Sequence, residues 1–397
     1  MLQSEITIID HTEDNHDPIP AVNESRTEST ILIVPQPRRY VDEDIYMKPP
    51  EGYSKAAPGQ SKHDYSLFVK KDTEGFIAAL VYVDDILITG NTEAEIIKLK
   101  QALDEKFTIK DLGLARYFLS IELCRTHKGT YLHQRKYILD LLTDAGLTAT
   151  KPTNSPLPQH LKLSIDTGTP LQEPDSYRRL IEKLLYLAMT KPDISYDVQH
   201  LSQFISALKD FHMQDAIYLL RYLKSTISKG LFYPIQPNLK VAEFSDADWA
   251  SCVMTRKSLT GYCVFLGHAL VSWKTKKQVR VSRSSTEAEY RSMATTTCEL
   301  VWLAYLLKDL RIEVQIPITL FCDNKVAQQI AANPCFHERT KHLDIDCHFT
   351  RDKVQSGFLQ TAYIPTNLQL TDIMTKALGR NQHLHLAHKL GFEELPT

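Results

Sequence analysis

Two adjacent carboxylates, Asp84 and Asp85, sit inside the apolar, β-branched run Ile77-Ala78-Ala79-Leu80-Val81-Tyr82-Val83-Asp84-Asp85-Ile86-Leu87-Ile88. Successive side chains of a strand point to opposite faces, whereas a tight turn between two strands would put both acids at its tip. A carboxylate in apolar surroundings is costly unless a metal ion or a hydrogen-bond donor meets it. Two readings stand: a hairpin whose turn is Asp-Asp, since Asp is a common turn residue, or a cation-binding pair. A second stretch, residues 271–283, carries Lys274, Lys276, Lys277, Arg280 and Arg283 with Trp273 and no acidic residue. It reads as a solvated basic loop or as a groove for nucleic-acid phosphates.

The elements that must position these residues follow from pattern. A chain of 397 residues with 43% hydrophobic content has material for two or three compact units. A net charge of −2 does not announce a nucleic-acid binder, so any basic surface must be local. The seven Cys contain no C-x-x-C pair, which argues for reduced thiols and against a disulfide framework or a zinc module. No signal peptide is evident and the apolar runs are too short to span a bilayer. The expectation is an intracellular protein, cytoplasmic or nuclear, not secreted and with no membrane partner. Composition does not set the oligomeric state.

Residues 1–40, polar and aperiodic, read as disordered. Residues 92–107 read as an amphipathic helix with Thr92 and Glu95 as a capping box. Strands are expected over 117–123 and 129–133, and a helix over 136–145. Residues 151–174, rich in Pro, Thr and Ser, read as a linker. Three helical patterns follow over 176–189, 193–208 and 211–225. From residue 239 the texture becomes strands over 241–245, 259–266 and 269–274, a long helix over 285–309, then a strand over 318–322. Helices over 324–333 and 343–355, a strand over 358–364 and a closing helix over 370–378 complete it. This order predicts an α/β (α+β) chain whose last domain is a mixed sheet flanked by helices. The divisions are 1–40, 41–150, 151–235, 239–380 and a tail over 381–397.

The string Tyr82-Val83-Asp84-Asp85 resembles the YVDD box of reverse transcriptases, in the form found in copia-type retrotransposon Pol polyproteins. Residues 41–53, Val-Asp-Glu-Asp-Ile-Tyr-Met-Lys-Pro-Pro-Glu-Gly-Tyr, resemble the stretch after that family's first catalytic Asp. The resemblance implies a polymerase palm over 41–150 whose Asp84–Asp85 hairpin helps hold two Mg²⁺ ions, and a helical thumb or connection region over 151–235. Further on, Ser245-Asp246-Ala247-Asp248-Trp249, Ser284-Ser285-Thr286-Glu287-Ala288-Glu289, Cys322-Asp323-Asn324, Thr340-Lys341-His342 and Thr371-Asp372-Ile373-Met374-Thr375-Lys376 resemble, in order, the ribonuclease H domain of the same family.

What the resemblance implies is a five-stranded ribonuclease H-like domain over 239–380. Asp246, Glu289, Asp323 and Asp372 would be catalytic and would hold two Mg²⁺ ions, or Mn²⁺, for in-line hydrolysis of the RNA strand of an RNA–DNA hybrid. Lys341 and His342 would join the basic stretch in contacting nucleic acid. Glu287 competes with Glu289 and Asp248 with Asp246, and Asp323 and Asp372 could instead cap the helices they precede. The palm departs from the family. The place of its first catalytic Asp is held by residues 24–40, which contain no Asp, with Asp42 and Asp44 of the following loop as weak substitutes, and the nucleotide-pocket insert after Gln60 is missing. The implied function is a ribonuclease H-bearing C-terminal fragment that has lost polymerase activity, leaving Asp84 and Asp85 as a polymerase remnant. The alternative is a silent remnant that binds nucleic acid or protein.

Overall fold

The computed structural model describes residues 29–35, 60–71, 75–159, 161, 163–235, 239–332 and 344–396. Residues 41–53, together with Lys341 and His342, lie outside them. Strand β1 (Ser29–Pro35) precedes β2 (Leu67–Lys71), β3 (Phe76–Tyr82), β4 (Asp85–Gly90), helix α1 (Glu93–Phe107) and β5 (Ile109–Leu114). Next come β6 (Tyr117–Phe118), β7 (Ile121–Arg125), β8 (Gly129–His133) and α2 (Arg135–Asp144). Helices α3 (Pro174–Leu187), α4 (Ser195–Ser202) and α5 (Asp210–Ser225) lead to β9 (Lys229–Pro234). Then follow β10 (Val241–Asp248), β11 (Leu259–Leu266), β12 (Ala269–Lys277), α6 (Ser285–Asp309), β13 (Ile318–Cys322), α7 (Lys325–Ala332), α8 (Asp344–Gln355) and β14 (Leu359–Tyr363). Helices α9 (Asp372–Thr375) and α10 (Arg380–Lys389) and strand β15 (Phe392–Glu394) close the chain.

These strands form three five-stranded sheets. The first has the order β2-β3-β4-β1-β5 and the third, β15-β9-β8-β7-β6. The second, β12-β11-β10-β13-β14, is antiparallel through β12, β11 and β10 and parallel through β10, β13 and β14. This is an α/β (α+β) architecture, and its second sheet is mixed, as expected of the last domain.

Several boundaries differ from those read in the sequence. Residues 29–35 are not disordered; they form β1, antiparallel to β4 and β5. The β-branched run Ile31-Leu32-Ile33-Val34 satisfies its backbone in the ladder between those two strands. Within the span 41–150 the strands fall into two sheets: β6, β7 and β8 pair onward to β9, while Phe118 and Leu123 pack against Leu80 and Leu87 of the first sheet. Residues 381–397 are not a tail: β15 extends that third sheet through β9, and Leu386, Ala387, Leu390 and Phe392 are buried with Leu231 and Met374. The closing helix shrinks to α9, because Lys376 is already extended backbone. The segment over 193–208 is helical in two short pieces, a 3-10 turn at Pro192–Ile194 and α4. Within 151–174 the backbone is irregular, yet Leu157 and Leu163 are buried against α3 and α5. The Thr92–Glu95 capping box does not form. Thr92 makes no cap bond, and Glu95 pairs with Lys70 and Lys98 at 2.6 Å each.

Helix α3 buries Tyr177, Ile181 and Leu184 at i, i+4, i+7 spacing, one stripe facing α5. A buried polar network ties this helical region to the C-terminus. Tyr222 donates to Asp193 Oδ2 at 2.7 Å, Lys191 Nζ lies 3.1 Å from Thr226 Oγ1 and 3.7 Å from Asp193, and His383 of α10 meets the Asp193 carbonyl at 2.8 Å. Burial lowers the Lys191 pKa to about 8, against the pull of Asp193.

Helix α6 is the common support. Ser284 caps it by accepting from the Glu287 N–H at 3.1 Å. Its inner face carries Tyr290, Met293, Leu300, Leu303 and Leu307 into the core of the second sheet. Farther along, Leu306, with Leu310 beyond the helix end, packs on Leu67, Val69 and Ala78 of the first sheet. Trp302 donates to the His63 carbonyl at 2.9 Å, and Ser61 to Asp309 at 2.8 Å.

Glu243 breaks the pattern on β10. It lies opposite Val264 and Leu320, which belong to the α6-side core, and it is fully buried. Neither carboxylate oxygen has a hydrogen-bond partner among the described residues. Burial, reinforced by Glu299, holds its pKa well above the carboxylate range. Glu243→Met should therefore raise stability by about 1–3 kcal/mol. The folded state keeps a proton that the unfolded state releases above pH 4.5, so wild-type stability falls with pH through this range and the gap to the variant widens. Urea denaturation at several pH values measures both; an unchanged midpoint would mean that the carboxyl is satisfied.

Candidate active site

The clustered acids lie where β10 and β13 run side by side. These strands are parallel, with Phe244 level with Phe321. Asp246 lies two residues beyond this last paired position on β10, and Asp323 directly follows β13, so both acids stand past the paired segment of the two strands. Ala242, Phe244 and Asp246 alternate with the α6-facing residues, and Asp246 reaches α9 instead. Its backbone is fixed from the other side, where Ser292 of α6 donates to the Asp246 carbonyl at 2.8 Å.

Glu289 approaches from α6. Its Oε1 accepts the Ala247 N–H at 3.2 Å, and the Cys322 thiol faces its Oε2 at 3.8 Å. Glu287 is engaged elsewhere: it accepts the Arg283 N–H at 2.8 Å and pairs with Arg291 at 3.0 Å. Asn324 caps α7 by accepting the Ala327 N–H at 2.9 Å, which leaves Asp323 to accept the Thr366 hydroxyl at 3.0 Å. Asp372 opens α9, and its carboxylate turns to Lys376 at 2.5 Å.

Burial, and crowding after it, shifts the carboxyl pKa values. Burial, then the charges of Asp246 and Asp323, push Glu289 up to about 9. Burial raises Asp246 as well, opposed by Lys376 and Thr375. Asp372 and Asp248 are each raised to about 6, chiefly by burial. Burial alone would lower Lys376, but Asp246 and Asp372 outweigh it and hold its ammonium above the ordinary range. All the carboxylate donors are hard oxygens, which suits Mg²⁺ or Mn²⁺. Among the described residues, Glu289, Cys322 and Asp323 place one ligand atom each within 4.8 Å of one another.

Sequence reasoning left Thr375, Lys376 and Cys322 without a role. Thr375 donates to Asp246 Oδ2, and Lys376 Nζ lies 3.3 Å from the same oxygen. The i, i+4 spacing of Asp372 and Lys376 was the available signal.

Asp84 and Asp85 are in the first sheet, not in this cluster. Tyr82 pairs with Asp85, so Val83 and Asp84 form the hairpin turn, with Val83 in the left-handed region at φ 50°. Asp84 is exposed; burial and then Asp84 raise the pKa of Asp85. The adjacent β1, Ser-Thr-Ile-Leu-Ile-Val-Pro, has no acidic residue.

The basic stretch is divided. Lys274 and Lys276 are exposed on β12, an edge strand, where lysines also discourage pairing with other sheets. Arg280 and Arg283 are exposed in the loop beyond. Lys277 is not in the exposed set; it turns to Gln203 at 3.0 Å and Cys252 at 3.7 Å.

The described chain combines three five-stranded sheets, and the second, mixed one bears the grouped carboxylates. The family described as reverse transcriptase (RNA-dependent DNA polymerase) matches residues 56–159. The retrovirus-related Pol polyprotein from transposon RE1 of Arabidopsis thaliana is 44% identical over 336 residues, 85% of this chain and 23% of that protein. An uncharacterized mitochondrial protein of Arabidopsis thaliana is 43% identical over 56% of this chain and 92% of its own length. The putative transposon Ty5-1 protein of Saccharomyces cerevisiae is 31% identical over 60% of this chain and 78% of its own length. A solved foamy viral protease-reverse transcriptase in complex with RNA/DNA hybrid aligns at 13% identity and a TM-score of 0.40, over 72% of this chain and 36% of that one. The chain belongs to the copia-type retrotransposon Pol family, and it spans about a quarter of the length of the Arabidopsis polyprotein it matches.

The seat of α9 depends on Gly261, which pairs with Asp246. A Cβ there would lie 2.6 Å from Thr375 Cγ2 and 2.8 Å from Met374 Cβ, both in buried residues. Gly261→Ala should cost about 1–3 kcal/mol by overpacking and should push Thr375 and Lys376 away from Asp246. Chemical denaturation checks the stability, and a wild-type midpoint would show that α9 yields freely.

Proposed function

We propose that the chain is a divalent-metal-dependent nuclease that cuts the RNA strand of RNA–DNA hybrids, with polymerase activity lost. The observation that carries this reading is the convergence of Asp246, Glu289, Asp323 and Asp372, from four separate segments, at one end of the second sheet. Carboxylates whose pKa is raised by burial and then by neighbouring charge form a site that gains from a cation. Glu289 and Asp323 would hold the ion most directly, with Asp246 and Asp372 facing the same space. When bound, Mg²⁺ or Mn²⁺ would polarise the phosphate and acidify the attacking water. Ser292 and Ala247 hold the Asp246 and Glu289 segments together before any ligand arrives. Lys274, Lys276, Arg280 and Arg283 would contact phosphates of the hybrid, and Lys341 and His342 would add to them.

The purified chain should cleave a labelled hybrid only with Mg²⁺ or Mn²⁺, and Asp246→Asn should lower the rate by about 10²-fold or more. Equal cleavage by both proteins would identify a contaminant and end the proposal. No primer extension on an RNA template is expected, since β1 offers Asp84 and Asp85 no third carboxylate.

Protonation supplies a separate check. Glu289, at about 9 without metal, must lose a proton to bind a cation, so metal affinity should rise as pH increases from 6 toward 9. Over the same range the metal-free fold should lose stability, because the unfolded Glu releases its proton near 4.5 and the folded one near 9. Calorimetric titration with Mn²⁺ at several pH values reads the first trend and thermal melts in chelator read the second; affinity independent of pH would remove Glu289 from the ligand set. A silent nucleic-acid-binding remnant is the second reading. One observation favours it: Lys376 already compensates part of the negative charge at Asp246 and Asp372.

A further inference from the structure

We infer that Lys376 is a built-in cation that occupies one of the two cation positions of this centre, leaving room for a single divalent ion on the Glu289–Asp323 side. The inference rests on the metal-centre reading above and replaces its two-ion form with one ion and one ammonium.

Two independent features of the geometry support it. The first is how fully Asp246 and Asp372 are engaged. Lys376 Nζ lies 2.5 Å from Asp372 Oδ1, 3.3 Å from Asp246 Oδ2 and 3.5 Å from Asp246 Oδ1. Thr375 adds its hydroxyl to Asp246 Oδ2 and is itself held by the Thr371 carbonyl at 3.2 Å. The ammonium is held in place by the backbone. The Lys376 N–H donates to the Asp372 carbonyl at 2.9 Å, so the lysine leaves the end of a single helical turn and folds back over its own first residue. That turn is seated on β11 at Gly261, where a Cβ would crowd Thr375 and Met374.

The second is where ligand atoms gather. The described group close enough to share an ion is Glu289, Cys322 and Asp323, within 4.8 Å; Asp246 and Asp372 are not in it. The centre is therefore divided. One half is bridged by an ammonium that a second dication would have to displace against direct repulsion. Among the described residues, the hydrogen bonds given to the other half come from neutral donors: the Ala247 N–H, the Cys322 thiol and the Thr366 hydroxyl.

The test counts ions on the full chain, by electron paramagnetic resonance of free Mn²⁺ during titration. Wild type should bind one Mn²⁺ per chain, and Asp323→Asn should abolish that binding. Lys376→Met should bind two, and Lys376→Arg, which keeps the charge, should bind one. Two ions on wild type would overturn the inference and leave the nuclease reading standing. One ion of equal affinity on wild type and Lys376→Met would also overturn it. No ion on either would remove the inference together with the metal centre itself, a result distinct from inactivity on a hybrid by a protein that does bind Mn²⁺. If Lys376→Met fails to fold by circular dichroism, the wild-type count alone separates one ion from two.

Discussion

Carboxylates gathered in a buried space cannot all stay charged without a positive partner. The C-terminal half of this chain is arranged around that constraint. Strands β10 and β13 carry Asp246 and Asp323 past their paired segment, and α6 brings Glu289 to Ala247 and Cys322. The short turn of α9 then returns with Asp372 and Lys376. Each piece comes from a different stretch of sequence, so electrostatic repulsion opposes their assembly. Packing supplies the opposing force: Tyr290, Met293 and Leu300 drive α6 onto the sheet, and Ile373 and Met374 drive α9 onto its other face. Burial first, and the neighbouring charges after it, raise the pKa of Glu289 and Asp372.

That arrangement reaches beyond one domain. Helix α6 carries Glu289 near its start and supports the first sheet near its end, through Leu306 and the Trp302 and Asp309 hydrogen bonds. The C-terminal residues behave alike. Helix α10 follows α9 directly and is held to the helical region by His383 on the Asp193 carbonyl, while β15 completes the third sheet. The Asp193 network thereby helps fix the segment that leads out of the site. The hairpin of Asp84 and Asp85 makes a contrast. Its strands are well paired, but its acids sit at a turn, and the strand beside β4 offers no third acid.

Much of the fold was legible because periodicity reports which face of an element is buried. The long helix over 285–309 and the strand over 318–322 have in the structure the limits that their patterns give. The strand over 29–35 was not legible, since a short apolar run inside polar sequence forms a strand only when a ladder is there to receive it. The C-terminal residues were misread for a related reason. His383, Leu386 and Phe392 have partners about 150 to 190 positions earlier, and no local pattern shows that.

The sequence by itself determined the types of group available and their local settings: acids at strand ends, an acid in the first turns of a capped helix, and an Asp and Lys four residues apart. Side-chain chemistry and helical or strand spacing are local properties, so they are written in the chain. Only the tertiary structure decided that Lys376 spans Asp246 and Asp372, that Cys322 faces Glu289, that Asn324 rather than Asp323 caps α7, and that Glu243 is left without a partner. Those outcomes depend on distances between segments far apart in sequence, and packing fixes such distances.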